Sequence, residues 1–431
     1  MIFMDDPLSK SIKDPRDYRY MKLFRSTLRL IGSWPGRDLK EEGATKYEIA
    51  PLYWVLVIKI TCFLLTIIYL IENTNKLGFF EIGHVYITVF MTMITLSRSI
   101  TLSLNPKYRR VMTKYITKMH LFYYKDMSDI ALKTHIRVHK LSHFFTMYLS
   151  TQVVLGTVTF NIVPMYNNYK VGRFENNILV NDSYELSIYF KTPTKFLSTL
   201  NGYIAITTFN WYSSYICSNF FCMFDLALSL LIFTVSGHFK ILIHNLNNFP
   251  LPAVVSDSSK VLKTDEIQAP LYNKTEKKDI TLRLKQCIDY HREVLEFTQD
   301  ISEAFGPMLF VYYLFHQVSG CLLLLECSQM DAAALMRYGL LTAVLFQQLI
   351  QLSVVVESVG TVTGYLKDAV YNVPWEYMDT QDRKTVCIFL MNVQEPVHIN
   401  ALGLAKVGVQ AMAGILKTSF SYFAFLRTVS N

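Results

Sequence analysis

Apolar positions along this chain gather into seven long runs, at about 51–71, 82–104, 141–164, 203–235, 305–326, 333–355 and 403–426. Each is as long as the helix that crosses a bilayer's hydrocarbon core, ~20 residues. The pattern predicts an all-α polytopic membrane protein with seven transmembrane helices. Residues 18–31 (YRYMKLFRSTLRLI) follow another rule. Tyr20, Leu23, Phe24, Leu28 and Ile31 share one helical face, and Lys22, Arg25 and Arg29 share another. Such a helix is expected to lie flat on the inner membrane surface, broken by Gly32-Ser33-Trp34-Pro35 with its Trp at the interface.

The segments between the runs complete the layout. Residues 105–140 are basic and aromatic and are expected to extend the second and third helices into the cytosol. Residues 248–280, with Pro250, Pro252 and Pro270, read as a mobile loop. A helical pattern resumes from Asp279 to Phe305 and leads into the fifth span, and 366–400 reads as a cytoplasmic helix before the last one. The chain is one domain over 1–431. It comprises an N-terminal segment (1–50), helices one to six (51–355), a cytoplasmic helix region (356–402), and a last helix with a short tail (403–431). There is no internal repeat, a feature frequent in secondary transporters.

Charge orients this bundle. Lys and Arg number 10 in the first fifty residues, and 9, 9 and 3 after spans two, four and six. They number 1, 4 and 0 after spans one, three and five, and 1 in the tail. Cytoplasmic loops carry such an excess, so the N-terminus is expected in the cytoplasm and the C-terminus outside, the reverse of a G-protein-coupled receptor. The net charge of +8 is accounted for by loops facing an anionic leaflet and requires no nucleic acid. The N-terminal fifty residues are charged, so no cleavable signal peptide is expected and the first run acts as an anchor. Of the seven cysteines only Cys327 falls near the outer face, which argues against an extracellular disulfide.

Few residues suggest chemistry. Asn181-Asp182-Ser183 is a sequon in the outer loop at about 165–200, whereas Asn273-Lys274-Thr275 is cytoplasmic on this topology. His135, His139 and His143 recur every four residues, but no acid or thiol completes a metal site, so they read as a solvated or packed face. Lys59, Arg98, Asp225, Arg337, Lys406 and Lys417 fall inside spans, where charge is costly. Arg98 and Lys406 are expected to snorkel to the inner edge and Arg337 to the outer. Asp225 suits an ion pair or a helix cap. Lys417, near the middle of the last span, suits a pore wall or a pairing between helices.

The last span is rich in small and polar residues, among them Gly408, Gln410, Gly414, Thr418 and Ser421, and ends in Tyr422-Phe423-Ala424-Phe425-Leu426. That composition fits close helix packing or a conduction path closed by an apolar constriction. The outer halves of spans two, three, four and six carry aromatic, Met and hydroxyl side chains: Tyr86, Phe90, Met93, Thr151, Thr159, Phe209, Trp211, Tyr212, Met336 and Tyr338. They suggest an apolar pocket for a small volatile or lipid-like ligand. No catalytic motif is present, so neither an enzyme nor a cofactor is expected.

Four stretches resemble insect odorant receptors. They are Gly32-Ser33-Trp34-Pro35; Cys287-Ile288-Asp289-Tyr290-His291 with Val294-Leu295-Glu296-Phe297; Ala369-Val370-Tyr371 with Trp375; and Ile415 to Phe423 with Leu426-Arg427. The run from Asn392-Val393-Gln394-Glu395-Pro396-Val397 to the end is most similar to moth pheromone receptors. The resemblance implies a tuning subunit that assembles with a shared co-receptor into a tetrameric, ligand-gated cation channel in the plasma membrane of a sensory dendrite. It implies a long-chain unsaturated aldehyde, alcohol or acetate as ligand, and seventh helices lining one pore with a gate near Phe425 and Val429 and Thr428 at a polar position. Phe425 stands where the family pattern has a smaller aliphatic residue. Outside this resemblance, a metabotropic receptor and a transporter for a hydrophobic solute are the competing classes.

Overall fold

In a bilayer every backbone polar group must be satisfied within the protein, which favours long helices. In the computed structural model each apolar run contributes one. The structure describes residues 4–9, 11–41, 50–73, 79–174, 184–191, 199–253, 271–327, 339–403 and 405–430. The long helices are α2 (Ala50–Asn73), α3 (Phe79–Leu104), α5 (Asp129–Lys170), α6 (Leu200–Asn247), α7 (Lys274–Cys327), α8 (Leu340–Thr363) and α11 (Val409–Ser430). Shorter helices are α1 (Arg19–Leu30), α4 (Pro106–Lys114), α9 (Leu366–Tyr371) and α10 (Thr380–Asn392), and β1 (Asn400–Ala401) pairs with β2 (Ala405–Lys406). Among the described residues five helices are long and apolar enough to cross a membrane. Hydroxyl, amide and His side chains dilute α5, and small residues and Lys417 dilute α11.

The bundle is built around α6, in which every residue from Asn219 to Phe239 is buried. Helices α5, α7 and α8 pack on it, and α11 packs on α7 and α8. Helix α2 is peripheral: Tyr53, Val57, Ile60, Leu64, Ile68 and Ile71 form an exposed apolar stripe, a lipid-facing surface.

Helix α1 keeps its amphipathic pattern, but lipid is not what meets its apolar residues. Its apolar face is covered by protein: Tyr20, Met21, Phe24, Leu28 and Ile31 are buried in the main core, while Leu23 is exposed. Histidines of the α4–α5 region supply the polar partners. Tyr18 Oη lies 3.0 Å from His135 Nε2 and Tyr20 Oη 2.8 Å from His120 Nε2. The His139 ring packs 4.5 Å from that of Tyr18. The histidine row is thus a packed face that clasps the N-terminal segment. Burial lowers the pKa of His135 and of His139 from 6.5 to about 4.

Three further expectations are revised. Helix α3 does not run on into the cytosol; Asn105 caps the backbone N–H of Lys107, and Pro106 starts a new helix, α4. The expected loop at 248–280 ends earlier, because Asn273 Oδ1 accepts from the N–H groups of Thr275 (3.0 Å) and Glu276 (2.9 Å) and starts α7 at Lys274. The last helix begins at Val409 and not near residue 403, because Leu402 and Gly403 take positive φ and turn the chain into the β1–β2 hairpin, which places Lys406 on a strand.

That hairpin aims α11. Its Asn400 N–H donates to Ser302 Oγ of α7 (3.0 Å), and a Cβ on Gly306 would sit 2.7 Å from Asn400 O. Glu357 of α8 accepts from Val409 N–H (3.2 Å), placing a carboxylate at the N-terminus of α11.

Candidate functional site

A cavity of about 150 Å³ opens between α2, α3, α5, α6 and α8. Its apolar wall includes Ile87, Met91, Phe160, Phe221 and Leu345, and its hydroxyls are Thr88, Thr92, Ser213, Ser214 and Ser218. Lys59 of α2 lies at this wall and is buried. Residues 184–191, between α5 and α6, contribute Ile188 and Phe190 to the lining. Asn168 holds that loop by donating from Nδ2 to Glu185 O (2.8 Å) and accepting from Glu185 N–H (2.9 Å), and Asn210 Nδ2 donates to Ile188 O (3.2 Å).

The cavity therefore lies among the expected helices, joined by α2, but on different faces. Tyr86 and Met93 are exposed on α3, Phe90 is half-buried against the core, and Ile87, Thr88, Met91 and Thr92 line the cavity instead. On α5, Thr151 is exposed and bonds to Met147 O (2.9 Å) of its own helix, as Thr159 does to Leu155 O (2.8 Å); Gln152, Gly156 and Phe160 line the space. On α6, Phe209 packs edge-on against Phe190 at 5.8 Å, one layer outside the cavity. Trp211 is half-buried and Tyr212 exposed, while Ser213 and Ser214 point inward. Met336, Tyr338, Arg337 and the sequon at Asn181 lie outside the described residues. The lining residues missed in the sequence had one usable signal. Ser213, Ser214, Cys217 and Ser218 are small and polar at helical spacing inside an apolar run. Ile188 and Phe190, on an irregular loop, had none.

The outer surface of α11 is the second notable feature. Ile415 and Ser419 are buried against the rest of the chain and Thr418 Oγ1 lies 2.8 Å from Gln317 Oε1 of α7, whereas Gln410, Ala413, Gly414, Lys417, Phe420, Ser421, Tyr422, Ala424, Phe425 and Thr428 are exposed. Thr428 Oγ1 donates back to Phe425 O (2.6 Å). The side chain of Val429 lies outside the described ones.

Deeper, Arg98 does not snorkel. Its Nη2 lies 3.0 Å from Asp225 Oδ1 with both side chains buried, and its guanidinium stacks 4.5 Å from Phe221, 4.7 Å from Phe224 and 5.1 Å from Tyr312. Aromatic faces and a counter-ion hold the charge inside the bundle.

A family model described as 7tm odorant receptor matches residues 79–420. The chain belongs to the 7tm odorant receptor family. As an odorant receptor it is similar to odorant receptor Or2 of Anopheles gambiae, 25% identical over 154 residues, 34% of this chain and 39% of that one. It is also similar to putative odorant receptor 85d of Drosophila melanogaster, 23% identical over 149 residues, 34% of this chain and 36% of that one. The alignments span under two fifths of these relatives' length. Its fold is that of the insect olfactory receptor OR5 of Machilis hrabei, at a TM-score of 0.74 and 14% identity, covering 95% of this chain and 98% of that one. The structure of that receptor in complex with eugenol matches at a TM-score of 0.72 and 13% identity, covering 95% and 98%. This odorant receptor thus shares the seven-helix membrane architecture and is a receptor, not an enzyme.

Proposed function

We propose that this odorant receptor is the ligand-binding subunit of a heteromeric, ligand-gated, non-selective cation channel. In this reading it sits in the plasma membrane of a sensory dendrite, with its N-terminus inside. The observation that carries the channel reading is the contrast between two exposed surfaces. The outward stripe of α2 is apolar and suits lipid, but the exposed surface of α11 mixes Gln410, Gly414, Lys417 and Ser421 with Phe420, Tyr422 and Phe425. Polar groups facing hydrocarbon are costly, so the α11 stripe belongs against water and partner subunits. The partner is the shared co-receptor, and the pore carries Lys417, Phe425, Thr428 and Val429.

The ligand occupies the cavity beneath Ile188 and Phe190 and shifts the channel by binding its open arrangement better. A long-chain unsaturated aldehyde, alcohol or acetate matches a wall that is mainly apolar with a few polar groups. Patch-clamp recording of the chain with and without an insect odorant co-receptor tests this, using a panel of such compounds and a G-protein blocker in the pipette. Rapid, blocker-insensitive cation current that needs both subunits is the expected result. A response abolished by the blocker would overturn it in favour of metabotropic signalling.

A further inference from the structure

Lys59 is the one Lys, Arg, Asp or Glu of α2 before Glu72, on a helix otherwise uncharged to that point. It stands nine residues past Ala50, roughly 13 Å along the axis at 1.5 Å per residue. It is also turned away from lipid, being 4% exposed while neighbouring Ile60 is 45% exposed. Its Nζ donates to Ser213 O (3.0 Å) and Ser213 Oγ (3.2 Å). Both acceptors are neutral, and no carboxylate lies among the cavity-lining residues. An ammonium has three donors, so one remains without an acceptor among the described residues. Some other polar groups of the wall have partners, while Gln152 Oε1 is buried without one among the described residues. Thr92 and Ser214 donate to carbonyls of their own helices, Gln152 Nε2 donates to Gln347, and Ser218 accepts from Thr157.

We propose that Lys59 reads the polar end of the ligand, donating its third N–H to a carbonyl or carboxylate oxygen at one end of an apolar chain. This rests on the reading of the cavity as the ligand site. A buried ammonium with neutral partners gains most from an acceptor carrying negative charge. The apolar wall of Ile87, Met91, Phe160 and Phe221 takes the chain. Specificity then comes from the donor left unpaired when a hydrocarbon enters.

The test compares an aldehyde, a carboxylate and a terminal alkene of equal chain length on the chain co-expressed with its co-receptor. The readout is the ratio of potencies on one variant, which surface expression does not change. A hydrogen bond to a charged group predicts that the oxygenated compounds exceed the alkene by about 10- to 100-fold. Lys59→Met is expected to collapse the ratio to about one, and Lys59→Gln to leave an intermediate value. Gly156→Phe fills the cavity from α5, where a Cβ meets nothing closer than Ser218 Oγ at 3.9 Å. If Gly156→Phe silences all compounds but Lys59→Met keeps the ratio, the assignment of Lys59 falls and the cavity stands. If Gly156→Phe changes no potency, the cavity is not the ligand site and both readings fall.

Discussion

Arg98 and Asp225 depend on each other because neither can be solvated where it sits. Removing one partner strands a buried charge, a loss of about 3–5 kcal/mol, whereas replacing both with apolar groups is often neutral. Arg98→Met and Asp225→Leu are therefore each expected to lower the melting temperature of the detergent-solubilised receptor and its surface level. The double variant is expected to recover most of both. Equal loss in the double and single variants would show that the ion pair is not what makes either change costly. In the sequence Arg98 reads as a snorkelling side chain because position along a helix gives depth and not direction. The three aromatic rings around it come from two other helices, Phe221 and Phe224 on α6 and Tyr312 on α7, and no local pattern announces them.

Two elements are held by contacts that single changes can release. The clasp on α1 keeps His135 and His139 neutral, their pKa values pushed by burial to about 4. Freed from the clasp they titrate near their ordinary value, about 6.5. The released state therefore binds more protons below that pH, and the clasp weakens as pH falls from about 6.5 towards about 4, with no such change above it. Hydrogen exchange across Arg19–Leu30, corrected for the intrinsic rate, is expected to rise between pH 7.5 and 5. A profile equal to that of a His135→Gln, His139→Gln variant would show that these rings do not set it. The hairpin is the other case. Gly306→Ala places a methyl group 2.7 Å from Asn400 O, a backbone atom that must move. Because the hairpin leads directly into α11, this change is expected to shift basal current more than surface expression. Normal gating in Gly306→Ala would mean that the hairpin does not aim the helix. The sequence pattern showed α1 and α11 as helices but not what covers them, since an apolar face looks the same whether protein or lipid meets it.

At the scale of the whole molecule, seven helices were legible because span length is set by bilayer thickness. The inward face of each was not. Tyr86, Phe90 and Met93 make as good an apolar row on α3 as Ile87 and Met91, and lipid and protein interior exert the same preference. The exception was α11, where small and polar residues and Lys417 sit among exposed aromatics, a mixture that fits neither environment alone and is the basis of the assembly proposed above. That argument has a consequence for Lys417, which faces away from the chain's own body. In a water-filled pore an ammonium repels passing cations by about 1 kcal/mol at 4 Å, or about fivefold in local concentration, less where salt screens it. Lys417→Gln is expected to raise single-channel cation conductance by up to about fivefold, and Lys417→Glu to raise it further. Phe425→Ala and Val429→Ala, nearer the outer end, are expected to change ion selectivity or basal current. Ile415, on the opposite face and buried, provides the control: Ile415→Val is expected to leave conductance unchanged. Recordings of conductance and reversal potential in the assembled channel decide the matter. Wild-type conductance in Lys417→Glu would place the α11 stripe against a partner's protein surface and remove Lys417 from the pore.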